Sequence, residues 1–579
     1  MAISSLDPSV KHKIDQWLTG NYNNETKESI QKLINNQEWD ELNDSFYKEL
    51  SFGTGGLRGI MGVGSNRINI YTVGKATQGL ANYLKKIHKT EAIKVAVSCD
   101  SRNLSLAFAQ TVADVFSAND IQVYLFSTLR PTPELSFAIR ELGCQSGVMI
   151  TASHNPKEYN GYKAYWDDGG QLVAPHDQNV IEEVNALSID QIKFNKKSNL
   201  IKKIDNEIDQ LYIDKLTGLS LRPEQVAQQK NLKIVFSPIH GTGITLVPKV
   251  LAKWGFANIH VVESQAVPDG NFPTVIYPNP EEEEAMSIGL QEAINLDADL
   301  LLATDPDADR VGVAVKNLNG IFQLLNGNQI GSLLVDYVLS SKKENNLLQP
   351  NDYTCKTIVT TNLISDIANS YGVKCYEVLT GFKYIGELIT NLTGKENFLV
   401  GGEESYGYLV GDLVRDKDAV VSCAFISEMT AYYKSLGKTL FEALISLYLK
   451  HGFYQEKLIS ITKKGQSGAT EIKEMMEKLR SDTPKALGGS AVVELKDYEN
   501  RVTTNLMTGK QIPIELPKSD VLQFVLEDGS VVSARPSGTE PKIKFYCSAK
   551  LPLNSVEDYL DLNKALELKI EEMMQDLLK

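Results

Sequence analysis

Three related α/β units followed by a fourth, α+β unit is the architecture the sequence predicts, and three observations predict it. The first is length: 579 residues, at about 100–200 residues per domain, are too many for one or two domains. The second is composition. With 42% apolar and 23% charged residues the chain has the balance of ordinary globular domains, which excludes disordered, collagen-like and disulfide-framed readings. The third is a local grammar that recurs from residue 92 onward: short β-branched runs, each ending in a polar or glycine-bearing loop and followed by a helical stretch.

The first fifty residues read as helices. Asp7-Pro8 is an N-cap followed by a first-turn proline, and apolar residues recur at Ile14, Trp17 and Leu18. Strand candidates then come in three groups: 92–98, 121–127 and 147–153; 232–237, 258–264 and 299–304; 356–361, 374–380 and 397–402. Because parallel strands place their ligand loops at their C-terminal ends, the informative segments are those directly after each run. Beyond residue 456 a Lys/Glu-rich helix (469–480), several strands near 491–547 and an amphipathic helix (554–578) form the last unit. The expected domains are 1–210, 211–325, 326–455 and 456–579.

Fifty-nine Lys and Arg against 73 Asp and Glu give a formal net charge of −14. That field repels nucleic acid and anionic lipid, so neither is expected as a partner. No apolar run approaches the roughly 18 residues of a membrane span, and the opening MAISSLDPSVKHKI lacks the basic-then-apolar layout of a signal peptide, so a cytoplasmic location is expected. The six cysteines (99, 144, 355, 375, 423 and 547) contain no Cys-x-x-Cys pair and are expected to be buried thiols. The seven histidines show no metal-binding spacing, which leaves oxygen ligands for any metal.

Four loops carry chemistry. Asp305-Pro306-Asp307-Ala308-Asp309-Arg310 follows a buried run with three carboxylates at spacing two; such a cluster needs a cation, and Mg²⁺, which takes hard oxygen ligands at about 2.0–2.1 Å, suits it. A calcium loop of EF-hand type is excluded because its glycine and bidentate glutamate positions hold Arg310 and Lys316. After the 147–153 run, Ser153 is a possible nucleophile in Thr151-Ala152-Ser153-His154-Asn155-Pro156, with His154 and Lys163 close in sequence. Glu403-Glu404-Ser405 follows the 397–402 run and offers the mixed donors and acceptors that sugar hydroxyls require. Arg535-Pro536-Ser537-Gly538-Thr539-Glu540-Pro541-Lys542 places a guanidinium, two hydroxyls and approachable backbone N–H groups together, as a phosphate cradle does. The competing readings are a solvated acidic turn, a polar strand-end loop, an exposed acidic loop and a β-turn. Two glycine-rich stretches are rejected: Gly53–Gly59 has Arg58 where a dinucleotide fingerprint needs glycine and follows no strand, and Tyr432 breaks the P-loop pattern before Gly437-Lys438-Thr439.

These four loops, in this order and each at a strand end, resemble those of the α-D-phosphohexomutase superfamily across roughly residues 45–550, and SFGTGGLRGIMG together with the length resembles its phosphoglucomutase-2, phosphopentomutase and bacterial phospho-sugar mutase branch. The resemblance implies three α/β domains with mixed sheets and a C-terminal domain like the TATA-box-binding protein, around a central cleft. It further implies a phosphoserine at Ser153, one Mg²⁺ held by Ser153, Asp305, Asp307 and Asp309, and Arg58, His154, Lys163 and Arg310 as catalytic neighbours. Thr380, Gly381, Glu403, Ser405, Lys417, Arg535, Ser537, Gly538, Thr539 and Lys544 would hold the substrate. The implied activity is interconversion of α-D-glucose 1-phosphate and glucose 6-phosphate, with glucose 1,6-bisphosphate as activating intermediate, in a monomer whose partners are small sugar phosphates. Phosphopentomutase, phosphomannomutase and sugar bisphosphate synthase activities are the alternatives, with a catalytically silent sugar-phosphate binder as a fourth. Two departures stand out: Pro306 replaces a common glycine, and Lys544 stands where several relatives have arginine, which removes a bidentate contact.

Overall fold

The computed structural model describes residues 6–53, 55–463, 465–537 and 542–579, with only the backbone given at 465 and 466. An N-terminal set of three helices, Pro8–Thr19, Asn24–Asn35 and Trp39–Phe46, precedes the first sheet. Asp7 caps the first of these by accepting from Ser9 N at 2.8 Å. Val10, Ile14 and Trp17 face inward onto Ile30, Leu42, Phe46 and Tyr71, while Leu18 is only partly covered. Arg67, 2% exposed, pins the set to the chain that follows, reaching Glu41 at 2.9 Å and Asp44 at 2.7 Å.

The first sheet runs β1 (Gly56–Ile60), β5 (Tyr159–Trp166), β4 (Ser146–Ile150), β2 (Lys94–Cys99), β3 (Gln122–Phe126), β6 (Ile201–Ile204). The second runs β11 (Phe322–Leu325), β10 (Val311–Lys316), β9 (Leu300–Thr304), β7 (Ile234–Ser237), β8 (Ile259–Val261). The third runs β13 (Lys374–Val378), β12 (Asp352–Thr357), β14 (Asn397–Gly402), β15 (Tyr408–Val410). Each contains the same parallel trio: a central first strand, the second on one side and the third on the other. In each, the next strand turns back antiparallel against the third, as β5 on β4, β10 on β9 and β15 on β14. The sheets are therefore mixed, and the three units are related in topology. Continuous burial of β4, β9 and β12 matches strands covered on both faces.

The last sheet is antiparallel and comprises β16 (Phe453–Thr462), β17 (Ala486–Leu487), β18 (Ser490–Asp497), β19 (Val502–Asn505), β20 (Gln511–Pro513), β21 (Leu522–Leu526), β22 (Val531–Pro536) and β23 (Lys542–Leu551). The helix Tyr559–Leu577 turns Leu566, Ile570, Met573 and Met574 inward. A single apolar cluster runs from Phe126 and Leu135 through Phe236 and Leu302, then Tyr353 and Val400, to Phe524 and Ile570, so all four units share one core.

Several expected boundaries shift. The 356–361 run is a strand only to Thr357, because β12 starts at Asp352, where its ladder with β14 begins. The 258–264 run keeps a strand only over β8, since Glu263–Ala266 turns helical. β16 crosses the expected division at 455/456, pairing with β23 along its whole length. The glycine-rich stretch follows only helices, as expected, but itself contains β1, where Gly56 lies so close to β5 that a Cβ would meet Tyr162 O at 1.6 Å. All six cysteines are free thiols, and Cys375 is half-buried rather than buried. Among the described residues no helix is long and apolar enough to cross a membrane.

Phe46 has no exposed surface in the N-terminal cluster. Phe46→Ala is expected to destabilise that region by about 3–5 kcal/mol, read as a lowered midpoint in urea unfolding followed by tryptophan fluorescence.

Candidate active site

The site is built from one topological position used three times, the turn between the third parallel strand of each unit and its antiparallel neighbour. Ser153 lies between β4 and β5, Asp305–Asp309 between β9 and β10, and Glu403–Ser405 between β14 and β15. Each turn holds a non-glycine residue in the left-handed region: Ser153 at φ 51°, Ala308 at φ 51° and Tyr406 at φ 66°. Such a conformation is uncommon for side-chain-bearing residues and recurs where a functional group must be aimed.

Ser153 is 2% exposed. Its Oγ donates to Asp305 Oδ2 at 2.8 Å and accepts from the Arg310 guanidinium at 2.8 Å, with His154 Nδ1 at 3.2 Å. The turn is held from behind: Thr151 Oγ1 accepts from Ser153 N at 2.8 Å and donates to Asp100 at 2.6 Å. The buried Arg102 donates to the carbonyls of Ser153, Asn155, Pro156 and Tyr159. Arg58, on β1, donates to Asn155 at 3.1 Å.

Asp305, Asp307 and Asp309 are at most 1% exposed, and ligand oxygens from all three lie within 4.8 Å of one another. Lys163 bridges Asp307 at 2.7 Å and Asp309 at 3.1 Å, and Lys417 reaches Asp309 at 3.2 Å. Burial, then Asp309 and Asp307, push the Asp305 carboxyl well above its ordinary range. Burial pushes Asp309 the same way, but Lys163, Lys417 and Arg310 outweigh it and hold that carboxyl low. The same balance keeps Lys163, Lys417 and Arg310 charged against the cost of burial. His154 is held well below its usual pKa by burial and by Arg310 and Arg58, and its Nδ1 lies 2.7 Å from Arg310. A hard cation fits the trio: Asp307 Oδ1 and Asp309 Oδ1 are buried without a hydrogen-bond partner, and carboxylate oxygens are the donors such ions take.

Glu403 accepts from Gly381 N at 2.9 Å, and Ser405 O accepts from Arg310 Nε at 3.0 Å. Glu404 is occupied elsewhere, accepting from Thr360 at 3.0 Å and Thr357 at 3.2 Å. Thr380 Oγ1 is buried and unpartnered. Lys417 is steered by Asp416, itself held by Tyr165 at 2.7 Å and Gln171 at 2.9 Å. A cleft of about 1250 Å³ brings together Arg58, Ser153, His154, Lys163, Asp309, Arg310, Thr380, Gly381, Glu403, Ser405, Lys417, Arg535 and Lys544. Asp305 and Asp307 lie behind its surface. Arg535 and Lys544 are register partners on β22 and β23, and Ser537 N donates to Lys542 O at 2.7 Å just past the strand; Gly538 and Thr539 lie outside the described residues. Sequence reasoning missed Asp100, Arg102, Asp416, Thr132, whose hydroxyl donates to Asp307, and Glu281, which lines the cleft 3.7 Å from Arg310 Nε. Of these, Asp100 and Arg102 stand directly after β2, where a strand-end search would have found them.

Family models for phosphoglucomutase/phosphomannomutase α/β/α domains I, II and III match residues 49–190, 210–320 and 326–449, and the model of the C-terminal domain matches residues 483–563. The chain belongs to the phosphoglucomutase/phosphomannomutase family. A phosphoglucomutase of Staphylococcus epidermidis is 38% identical over 528 residues, covering 90% of this chain and 94% of its own. One from Staphylococcus aureus is 37% identical over 532 residues, covering 91% and 94%. A putative phosphomannomutase from Thermus thermophilus aligns with a TM-score of 0.67 at 21% identity, over 91% of this chain and 99% of that one. The open form of parafusin, a phosphoglucomutase from Paramecium, aligns at 0.65 and 18% identity, over 91% and 96%. These two structures show that the fold is shared.

Burial raises the Glu403 carboxyl to about 7, against the pull of Lys417. The folded protein therefore binds a proton there that the unfolded chain releases near pH 4.5, so this group's contribution to stability is lost as pH rises towards about 7 and changes no further above it. Glu403→Gln is expected to gain stability over wild type progressively between pH 5 and 7.5, by on the order of 3 kcal/mol at most. Parallel pH–stability curves for the two proteins would contradict this.

Proposed function

We propose that the chain is a phosphoglucomutase-type phosphohexose mutase, an enzyme of the isomerase class. It interconverts α-D-glucose 1-phosphate and glucose 6-phosphate through a phosphorylated Ser153, with glucose 1,6-bisphosphate as the activating intermediate. One observation carries the reading: a buried serine hydroxyl lies 2.8 Å from both an acidic-trio carboxylate and an arginine guanidinium, in a cleft that also holds Glu403, Ser405 and Arg535. Relatives that share nine-tenths of the chain are phosphoglucomutases, which favours glucose over mannose or pentose phosphates.

Ser153 carries the phosphoryl group. Asp305, Asp307, Asp309 and an oxygen of that group would hold one Mg²⁺, which when bound supplies positive charge beside the oxygens being transferred. Arg310, aimed at Ser153 Oγ, and Arg58, bonded to Asn155 of the same turn, counter the charge that spreads during transfer. In the first half-reaction the bond from phosphorus to the serine oxygen breaks as the bond to a sugar oxygen forms, and the proton of the sugar hydroxyl passes to the serine oxygen. In the second, with the bisphosphate turned over, the bond from the other phosphorus to its sugar oxygen breaks as the bond to the serine oxygen forms, and the serine proton passes to that sugar oxygen. Lys163 stays an ammonium between Asp307 and Asp309, and neutral His154 keeps a lone pair at Nδ1 beside the serine. Thr380, Gly381, Glu403, Ser405 and Lys417 orient the sugar. Arg535, Ser537 and Lys544, with Gly538 and Thr539, hold the phosphate that is not reacting; hydroxyl, ammonium and guanidinium donors read the phosphate and not the sugar, so either end of the bisphosphate is accepted. The setting this implies is a cytoplasmic monomer acting on small sugar phosphates.

Ser153→Ala is expected to abolish turnover of glucose 1-phosphate and the protein-bound phosphate seen by intact mass, while sugar-phosphate binding persists. Turnover at the wild-type rate would overturn the reading, and rates on glucose, mannose and ribose 1-phosphates rank the substrates.

A further inference from the structure

The residues that touch Asp307 include one that belongs to none of the four loops. Thr132 is the first residue of the helix Thr132–Glu141 in the first unit and has no exposed surface. Its hydroxyl donates to Asp307 Oδ2 at 2.8 Å, and its backbone N–H donates to the Asp307 carbonyl at 2.9 Å. One residue, 175 positions away in the chain, thus clasps both the side chain and the main chain of the same aspartate. The clasp is anchored in turn: Arg130 N donates to Cys99 O at 3.1 Å and Arg130 O accepts from Ser98 Oγ at 3.2 Å, which ties the turn before the helix to the end of β2.

The effect on Asp307 follows from geometry. A carboxylate with one oxygen held by two donors, Thr132 and Lys163, has little rotation left. The other oxygen, Oδ1, is buried and without a partner, on one of the three carboxylates that each offer an oxygen within 4.8 Å of the others. Lys163 grips Oδ2 through a long flexible stem and divides itself between two carboxylates. Thr132 does so through a short β-branched side chain with a stiff first torsion, and it carries no charge that would compete with a cation.

We propose that Thr132 is a positioning residue for the cation, fixing the Asp307 carboxylate so that Oδ1 is presented to the ion. This rests on the cation reading given above. Groups that orient a metal's ligands without touching the metal typically change affinity 10–100-fold.

The test is Mn²⁺ affinity, measured by electron paramagnetic resonance on chelator-treated full-length protein, for wild type, Thr132→Val and Thr132→Ser. Valine keeps the shape and the backbone N–H but lacks the hydroxyl, and is expected to weaken Mn²⁺ binding about 10- to 100-fold; serine, which keeps the hydroxyl, is expected to bind as wild type does. Thr132→Ala is a second variant without the hydroxyl, and whichever of the two retains the wild-type near-ultraviolet circular dichroism in metal-free buffer carries the comparison. Undiminished affinity in that variant would overturn the role of Thr132 while leaving the cation reading intact. Equal weakening in the serine variant would also overturn it, because the hydroxyl would not be the cause. Failure of the wild-type chain to bind Mn²⁺ would overturn the cation reading, and this inference with it.

Discussion

Three carboxylates buried on one turn can stay in a protein interior only if positive charge is brought to them, and the fold is arranged around that demand. Arg310 comes from the same turn, Lys163 from the first unit and Lys417 from the third. Stripping one partner from such a buried set costs about 3–5 kcal/mol, because the remaining charge is left bare in a poorly polarisable surrounding. The relative placement of three units is thereby fixed by electrostatics as well as by their shared apolar core. The same arrangement sets Ser153 Oγ against an acceptor and a cationic donor at equal distance.

One piece of backbone has been given three different tasks. The turn after the third parallel strand presents a hydroxyl in the first unit, an acidic trio in the second and a mixed acid–hydroxyl pair in the third. In all three, a left-handed residue lies within four positions of the strand end. The antiparallel strand that follows leads the chain directly away, so the turn stays short and its side chains are held by β-structure on both sides. The trio of units points its turns inward, and the last sheet faces the resulting cleft with Arg535 and Lys544.

Much of this was legible in the residues. The β-branched runs located eight of the nine parallel-trio strands to within three residues at each end, although the run over β8 reaches into the helix Glu263–Ala266, and the four loop motifs marked the segments that converge. The ninth, β12, was displaced because Ile358-Val359 continues the β-branched pattern after the ladder with β14 has ended; local pattern does not reveal where a partner stops. β1 escaped because two of its five residues are glycine, and only the close approach of Gly56 to β5 explains the glycine there. Arg102 stands directly after β2 and was findable by position, but the contact of Thr132 with Asp307 depends on distant chain segments meeting, which no local spacing encodes. Glu404 shows the converse. It sits between the two residues assigned to the sugar, and only the structure shows its Oε2 taken by Thr357 and Thr360.

The chain order of the converging turns also has a temporal meaning. During synthesis the first unit is complete well before the acidic turn leaves the ribosome, and Lys417 follows later still. A chain made only through the first unit therefore holds Ser153 with neither Asp305 nor Arg310 beside it. The arrangement around the serine is thus completed only when residues of three units, the last of them Lys417, have been made and packed together.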